Sequence, residues 1–170
     1  ATALWDLSKG SYFFPKLTIQ LKEFSAGEAD VDCIVVGLYE GMVFTDEARS
    51  IDRQCKGYLS QFVQNGDFKG KVGEALMLYS LPGLKSPRLL LMGCGPEGKV
   101  FDKEYFEIIT ASMEPLSRGG IKKALSYLPS VKVKKRDLKW KLRMAARQSE
   151  TSLYEFEQLK KSVTPERALK

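Results

Sequence analysis

Gly93, Gly95 and Gly98 spell G-x-G-x-x-G directly behind the apolar run Leu89-Leu90-Leu91-Met92. After a strand and ahead of a helix that spacing serves dinucleotides, because amides at the helix start meet the pyrophosphate. Three features favour a plain tight turn here. Pro96 removes one of the amides such a loop would offer. The next helical period opens only near Asp102, several residues late. The acidic residue about 20 positions on, which such a site needs, would be Glu114, and it precedes Pro115 instead of closing a second strand.

Close carboxylates occur as Asp46/Glu47, Asp102/Glu104 and Glu155/Glu157. A two-metal centre needs several of them converging on ions about 3.5–4 Å apart. The first two pairs open helices, where the helix dipole is reason enough for them, and the third alternates with Phe156. The chain has no histidine, which takes away the commonest general base, the Ser-His and Cys-His nucleophile pairs and the commonest metal ligand together. Cys33, Cys55 and Cys94 lie far apart with no C-x-x-C pair, and read as reduced, buried thiols. No catalytic, cofactor-binding or metal-ligating residue is assigned.

One segment stands out by charge. From Arg118 to Arg147 eleven lysines and arginines face Asp137 alone, a net +10 within a chain of +6. A field this lopsided attracts polyanions. Lys132, Lys134, Lys135, Arg136, Lys139 and Arg143 cluster around the start of a helix, and are the candidate nucleic-acid contacts, gripping phosphates while Trp140 stacks a base. The plainer reading is a solvated helix face whose rim meets an acidic partner, with Trp140 in core or interface packing.

The elements that must position these residues follow from periodicity. At 170 residues, with 44% hydrophobic and 28% charged content, the chain fits one domain with a real core. No stretch approaches the roughly 18 apolar residues of a membrane span, so no membrane partner is expected. Ala1 in place of methionine reads as a processed or trimmed start. Residues 1–15 form an irregular arm without a period. Lys16 to Phe24 alternates as a half-buried strand, and Cys33 to Leu38 is a buried one. Thr45 caps a helix to Gln64 whose stripe is Ala48, Ile51, Cys55, Leu59, Phe62 and Val63. Strands follow at Glu74 to Leu81 and over the apolar run, then a helix from Asp102 to Glu114 with Phe106, Ile109 and Met113 inward. Ile121 to Leu128 is a further strand, and Val131 and Val133 mark a short edge strand. The longest helix spans 137–161, with Leu138, Leu142, Ala145, Ser149, Leu153 and Phe156 on one face, ahead of a patternless tail at 162–170. This order predicts an α/β domain over 16–136: a mixed β-sheet flanked by helices in three layers.

Four blocks in this order and spacing resemble the N-terminal domain of the leucyl (cytosol) aminopeptidase family. They are Asp32-Cys33-Ile34-Val35-Val36-Gly37, Gly70-Lys71-Val72-Gly73, Arg88-Leu89-Leu90-Leu91-Met92-Gly93-Cys94-Gly95 and Leu153-Tyr154-Glu155-Phe156-Glu157-Gln158-Leu159-Lys160. The resemblance covers about Lys16 to Arg167. It implies a macro-domain-like fold and identifies the 137–161 helix with the connector to a C-terminal catalytic domain. In that family the two metal ions, zinc or manganese, the catalytic lysine and the bicarbonate-holding arginine all belong to that second domain. Its Asn-Thr-Asp-Ala-Glu-Gly-Arg signature has no counterpart here, so no catalytic position is carried over and no cofactor is expected in this chain. The family also uses the glycine-rich turn structurally.

The expectation is a non-catalytic module serving assembly and positioning, partnered by a catalytic domain or other subunits in an oligomer. It would work in the cytoplasm or, alternatively, the mitochondrial matrix. The alternative is a nucleic-acid-binding or ribonucleoprotein subunit using the basic segment. A third reading, drawn from macro-domain relatives, is a nucleotide or ADP-ribose-like ligand.

Overall fold

The computed structural model describes residues 3–6, 10–11, 14–15, 18–21, 27–118 and 120–151. In chain order the elements are β1 (Ala3–Asp6), β2 (Gly10–Ser11), β3 (Phe14–Pro15), β4 (Thr18–Leu21), β5 (Cys33–Tyr39), β6 (Val43–Phe44), α1 (Asp46–Gln54), α2 (Tyr58–Gln64), β7 (Ala75–Tyr79), β8 (Arg88–Gly93), α3 (Asp102–Ser117) and β9 (Lys123–Ser126). A 3-10 turn at Leu128–Ser130 and helix α4 (138–151) follow.

Seven strands form one sheet in the order β4-β1-β9-β5-β8-β7, with β6 hairpinned onto β5. The centre, β9-β5-β8, is parallel, while β1, β4 and β7 join antiparallel on the flanks. All seven residues of β5 are buried, as befits a central strand covered on both faces. Alternate side chains then feed two cores. Ile34, Val36, Leu38, Leu89 and Leu91 meet α1 and α2 through Ala48, Ile51 and Leu59. Cys33, Val35, Leu90 and Met92 meet α3 and α4 through Tyr105, Ile108, Ile109, Met113 and Ala145. The sheet is therefore mixed and clad by helices on both sides, the three-layer α/β architecture expected from the element order.

Five local expectations are corrected. Residues 1–15 are not without regular structure: β1 lies between β4 and β9, and β2 pairs with β3. A four-residue strand has too short a period to see, and its partner β9 lies far along the chain. The helix expected over Thr45–Gln64 is two, broken where Lys56 and Gly57 take φ of 56° and 80°, a conformation glycine accepts freely. Thr45 caps the first as expected, accepting from the Ala48 N–H (3.2 Å) and donating to the Gly37 carbonyl (3.1 Å). On α3 Phe106 points outward, 43% exposed, because the buried stripe is Tyr105, Ile108, Ile109, Ser112, Met113 and Leu116. Val131 and Val133 are buried but form no strand; they follow the 3-10 turn and fill the α3-side core. In α4 the buried row is Lys141, Ala145 and Ser149, while Leu138 is 39% exposed. The expected helix residues from 152 to 161, with Leu153, Phe156 and Glu155/Glu157, and the tail at 162–170 lie outside the described residues.

Candidate functional site

The glycine-rich turn is a knot of main chain. The amides of Gly93, Cys94 and Gly95 donate to the carbonyls of Glu74 (2.7 Å), Leu38 (2.9 Å) and Gly70 (2.8 Å). Each amide that a phosphate would use at these positions is already paired. A Cβ on Gly93 would stand 1.9 Å from the Lys71 carbonyl oxygen, so only glycine lets β8 and the 70–74 segment approach. Gly93 and Gly95 therefore have a packing cause, while Gly98 takes a φ of 77° in open space.

The cysteines are buried and unpaired. Burial pushes the Cys33 and Cys94 thiols up to about 12 and Cys55 up to about 11, so all three are protonated near neutral pH and poor nucleophiles. Among the described residues no group of three His, Cys, Asp or Glu could hold a metal ion. No helix among them is long and apolar enough to cross a membrane.

At the carboxyl ends of the parallel strands, the usual ligand position in an α/β sheet, lies a cavity of about 100 Å³. Tyr39, Asp46, Glu47, Glu97, Ser130 and Lys132 are among its lining residues. Ligand pockets usually hold about 300–1,000 Å³. With three carboxylates against one lysine, this cleft has the wrong size and the wrong sign for a nucleotide diphosphate.

The basic segment is divided by the fold into cations with different tasks. Asp137 opens α4 by accepting from the Trp140 N–H at 2.8 Å, an N-cap contact. Just before it, Arg136 grips Asp102 at the start of α3 in a two-pronged pair, Nε to Oδ1 at 2.9 Å and Nη2 to Oδ2 at 2.6 Å. The guanidinium hydrogen bond holds the Asp102 carboxyl below its usual value. Arg136 also lies over the Trp140 ring, 4.8 Å from its centroid, and that ring meets Tyr105 at 6.0 Å. Trp140 thus serves packing between α3 and α4, the plainer of its two readings. Lys141 turns inward, and its Nζ donates to the Val131 carbonyl at 3.0 Å. Burial pulls its pKa down, opposed by Glu47 and Asp137. Further along, Gln148 donates to the Thr110 hydroxyl at 2.9 Å.

What remains outward is smaller and more ordered than the sequence count suggests. Lys132, Lys134, Lys135, Arg136, Lys139 and Arg143 are all exposed, but Arg136 is committed to Asp102 and Lys132 lines the acidic cleft. Lys139, Arg143 and Arg147 recur every fourth residue on the exposed side of α4, a row with a rise of about 6 Å per step. Residue types alone miss the clamp itself: Asp102, Tyr105, Thr110, Lys141 and Gln148. The one local signal for it is Asp137 standing three residues before Trp140.

The family model described as "Cytosol aminopeptidase family, N-terminal domain" matches residues 35–162. A probable cytosol aminopeptidase of Haemophilus influenzae (strain PittEE) is 36% identical over 141 residues, 83% of this chain and 28% of that protein. One from Vibrio campbellii is 40% identical over 134 residues, 79% of this chain and 26% of that protein. A solved mutant of tomato leucine aminopeptidase is similar at TM-score 0.43 and 23% identity, covering 56% of this chain and 19% of that one. The chain spans about a quarter of the length of the curated relatives it matches.

Proposed function

The chain belongs to the cytosol aminopeptidase family through that family's N-terminal domain, and from that premise we propose that it is a non-catalytic module serving assembly and positioning in a leucyl aminopeptidase-like protein. The whole protein would be a metal-dependent exopeptidase that releases N-terminal amino acids, its zinc or manganese held by the catalytic portion. The observation that carries the reading is the clamped helix α4. It is fixed just before its start by Arg136 on Asp102, in its first turn by Lys141 on Val131 and further along by Gln148 on Thr110. A helix pinned at three levels sets the direction of whatever follows it. The protonated thiols, the spent amides of the glycine turn and the lack of histidine support a scaffold role for this part.

The test is hydrolysis of a leucine anilide by the purified chain with zinc or manganese added. The expected rate equals the metal-only blank. Turnover that follows the protein through purification would overturn the assignment.

A second reading, nucleic-acid binding, is favoured by the row Lys139, Arg143 and Arg147. If it holds, affinity for mixed single-stranded RNA falls linearly with log salt, with a slope near 0.7 per phosphate contacted. Absence of binding at low salt would eliminate it.

A further inference from the structure

Beside β7 lies a hollow of about 250 Å³, against about 100 Å³ for the acidic cleft. Met77 and Tyr79, two residues apart on β7, point to the same face of the sheet. That face is the α3 side, because Met77 packs against the core that holds Leu90, its partner in the ladder. The last turn of α3 supplies Glu114 and Pro115 to the lining, and Arg118 and Ile121 follow the helix end. Met77, Pro115 and Ile121 make the floor apolar. The polar groups are of both signs: Arg118 is ion-paired with Glu114 one helical turn before it, and Arg88, opposite Tyr79 in the ladder, adds a second guanidinium. Apolar walls with a few convergent polar groups are the usual make-up of a small-molecule site.

We propose that this hollow binds a free apolar α-amino acid: its ammonium donates to Glu114, its carboxylate accepts from Arg118, and its side chain lies on Met77, Pro115 and Ile121. The spacing of the charges selects this class. Glu114 and Arg118 are in contact, so a ligand that serves both must carry its cation and its anion side by side. In an α-amino acid one carbon separates them. In a peptide or an ω-amino acid they stand further apart, and only one could be met. Size points the same way, since drug-sized ligands occupy about 300 Å³ or more.

Little is lost in opening the pair. Its side chains are 40% exposed at Glu114 and 78% at Arg118, and water screens such contacts. A zwitterion then returns an opposite charge to each partner. The helix end acts in the same sense: α3 has no basic residue in its last turn, so the negative end of its dipole is left to attract an ammonium. A phosphate would meet Glu114 with like charge, and a purely apolar ligand would leave both charges of the pair unanswered. If the whole protein releases N-terminal amino acids, as proposed above, its own product belongs to this class. The binding itself does not depend on that reading: titration tests one, and the peptidase assay tests the other.

Titration of the 170-residue chain with L-leucine, followed by amide NMR shifts, should move Met77, Tyr79, Leu116 and Ile121 together and saturate in the millimolar range. Glycine keeps both charges without the apolar body, N-acetyl-L-leucine lacks the ammonium, and leucinamide lacks the carboxylate. Each should bind roughly tenfold more weakly or worse, and 6-aminohexanoate should not compete. Glu114→Gln should weaken leucine by about tenfold and strengthen N-acetyl-L-leucine, because Arg118 is then released to the carboxylate. Mere damage to the hollow would weaken both ligands. Arg118→Gln should weaken leucine likewise and favour leucinamide. Both substitutions fall on an exposed pair, so the melting midpoint should hold and each variant remains folded for the test. No saturable shift at these residues at tens of millimolar leucine overturns the proposal. So does equal binding of glycine and leucine, or a Glu114→Gln protein that treats both ligands as the native one does.

Discussion

Helices α1 and α2 on one side of the sheet and α4 on the other are held by different means. On one face α1 and α2 present Ala48, Ile51, Cys55 and Leu59, each at most 1% exposed, to Ile34, Val36, Leu38 and Leu91. Side-chain hydrogen bonds add Thr45 to the Gly37 carbonyl of β5 and Ser60 to Asp52 between the two helices. On the other face α4 offers the row Lys141, Ala145 and Ser149, one methyl group and two polar side chains, with Trp140, Leu142 and Met144 half-buried beside it. What fixes α4 is directional: Arg136 on Asp102, Lys141 on Val131 and Gln148 on Thr110. Apolar area gives stability without direction, whereas hydrogen bonds give orientation at about 0.5–1.5 kcal/mol each. The α1–α2 layer is therefore built to be permanent, and α4, lying outside the apolar stripe of α3, to be aimed.

The largest effect should come from the apolar layer. Ile51→Ala empties a site 1% exposed and should cost about 2–5 kcal/mol in urea unfolding, lost in a single cooperative step. Next comes Ala145→Glu, which places a charge in the α3-side core that also holds Met113 and Leu128. Its cost is bounded by the free energy of letting α4 swing away, so the loss should be smaller than for Ile51→Ala. Hydrogen exchange should show 138–151 unprotected while β5 keeps its protection. If instead both regions open together, the layers do not differ and the comparison fails.

Legibility followed the same divide. Cys33–Tyr39 and Arg88–Gly93 stand out as strands because burial on both faces leaves near-continuous apolar runs, and the α1 stripe stands out because one face carries all its apolar residues. Elements whose cause lies elsewhere were hidden. β1 exists because β4 and β9 flank it, and Val131 and Val133 alternate with lysines without a partner strand. Phe106 and Tyr105 are both aromatic neighbours on α3; only the position of Trp140 and Leu128 decides that Tyr105 goes in, with its hydroxyl donating to the Leu128 carbonyl at 3.3 Å. At the candidate site the sequence showed a sum of charges, and the fold shows their separate uses. Lys141 counts toward the +10 yet is buried, and Arg136 is claimed by a carboxylate 34 residues away in the chain.

Titration separates the buried lysine from its exposed neighbours. Burial lowers the Lys141 pKa beneath 10.5, so the folded state binds its proton less tightly than the unfolded chain does. Its contribution is therefore fully present above 10.5 and is lost as pH falls through the folded value. Lys141→Met keeps the apolar stem and removes the titration, leaving the Val131 carbonyl without that donor at a cost of about 1 kcal/mol. Melting curves should show the native protein gaining on Lys141→Met as pH rises toward 10.5. A difference independent of pH would mean that Lys141 titrates as a surface lysine and that the polar anchoring of α4 is weaker than its geometry indicates.

The smallest effect on stability, and the sharpest on the second reading, belongs to Asp102→Asn. The Arg136–Asp102 pair is exposed, with side-chain accessibilities of 41% and 49%, and such pairs add little to folding because water screens them. The melting midpoint should scarcely move. Binding to a polyanion should change more, since an asparagine no longer neutralises Arg136 and the guanidinium joins Lys139 and Arg143 as a free cation. Affinity for single-stranded RNA at low salt should rise and the salt dependence steepen by about 0.7 of a unit, the value of one further phosphate contact. Lys139→Ala should do the reverse by a similar amount. If both substitutions leave the salt slope where it was, the outward row of α4 is a solvated surface, and the clamp beneath it is the only use the fold makes of this segment's charge.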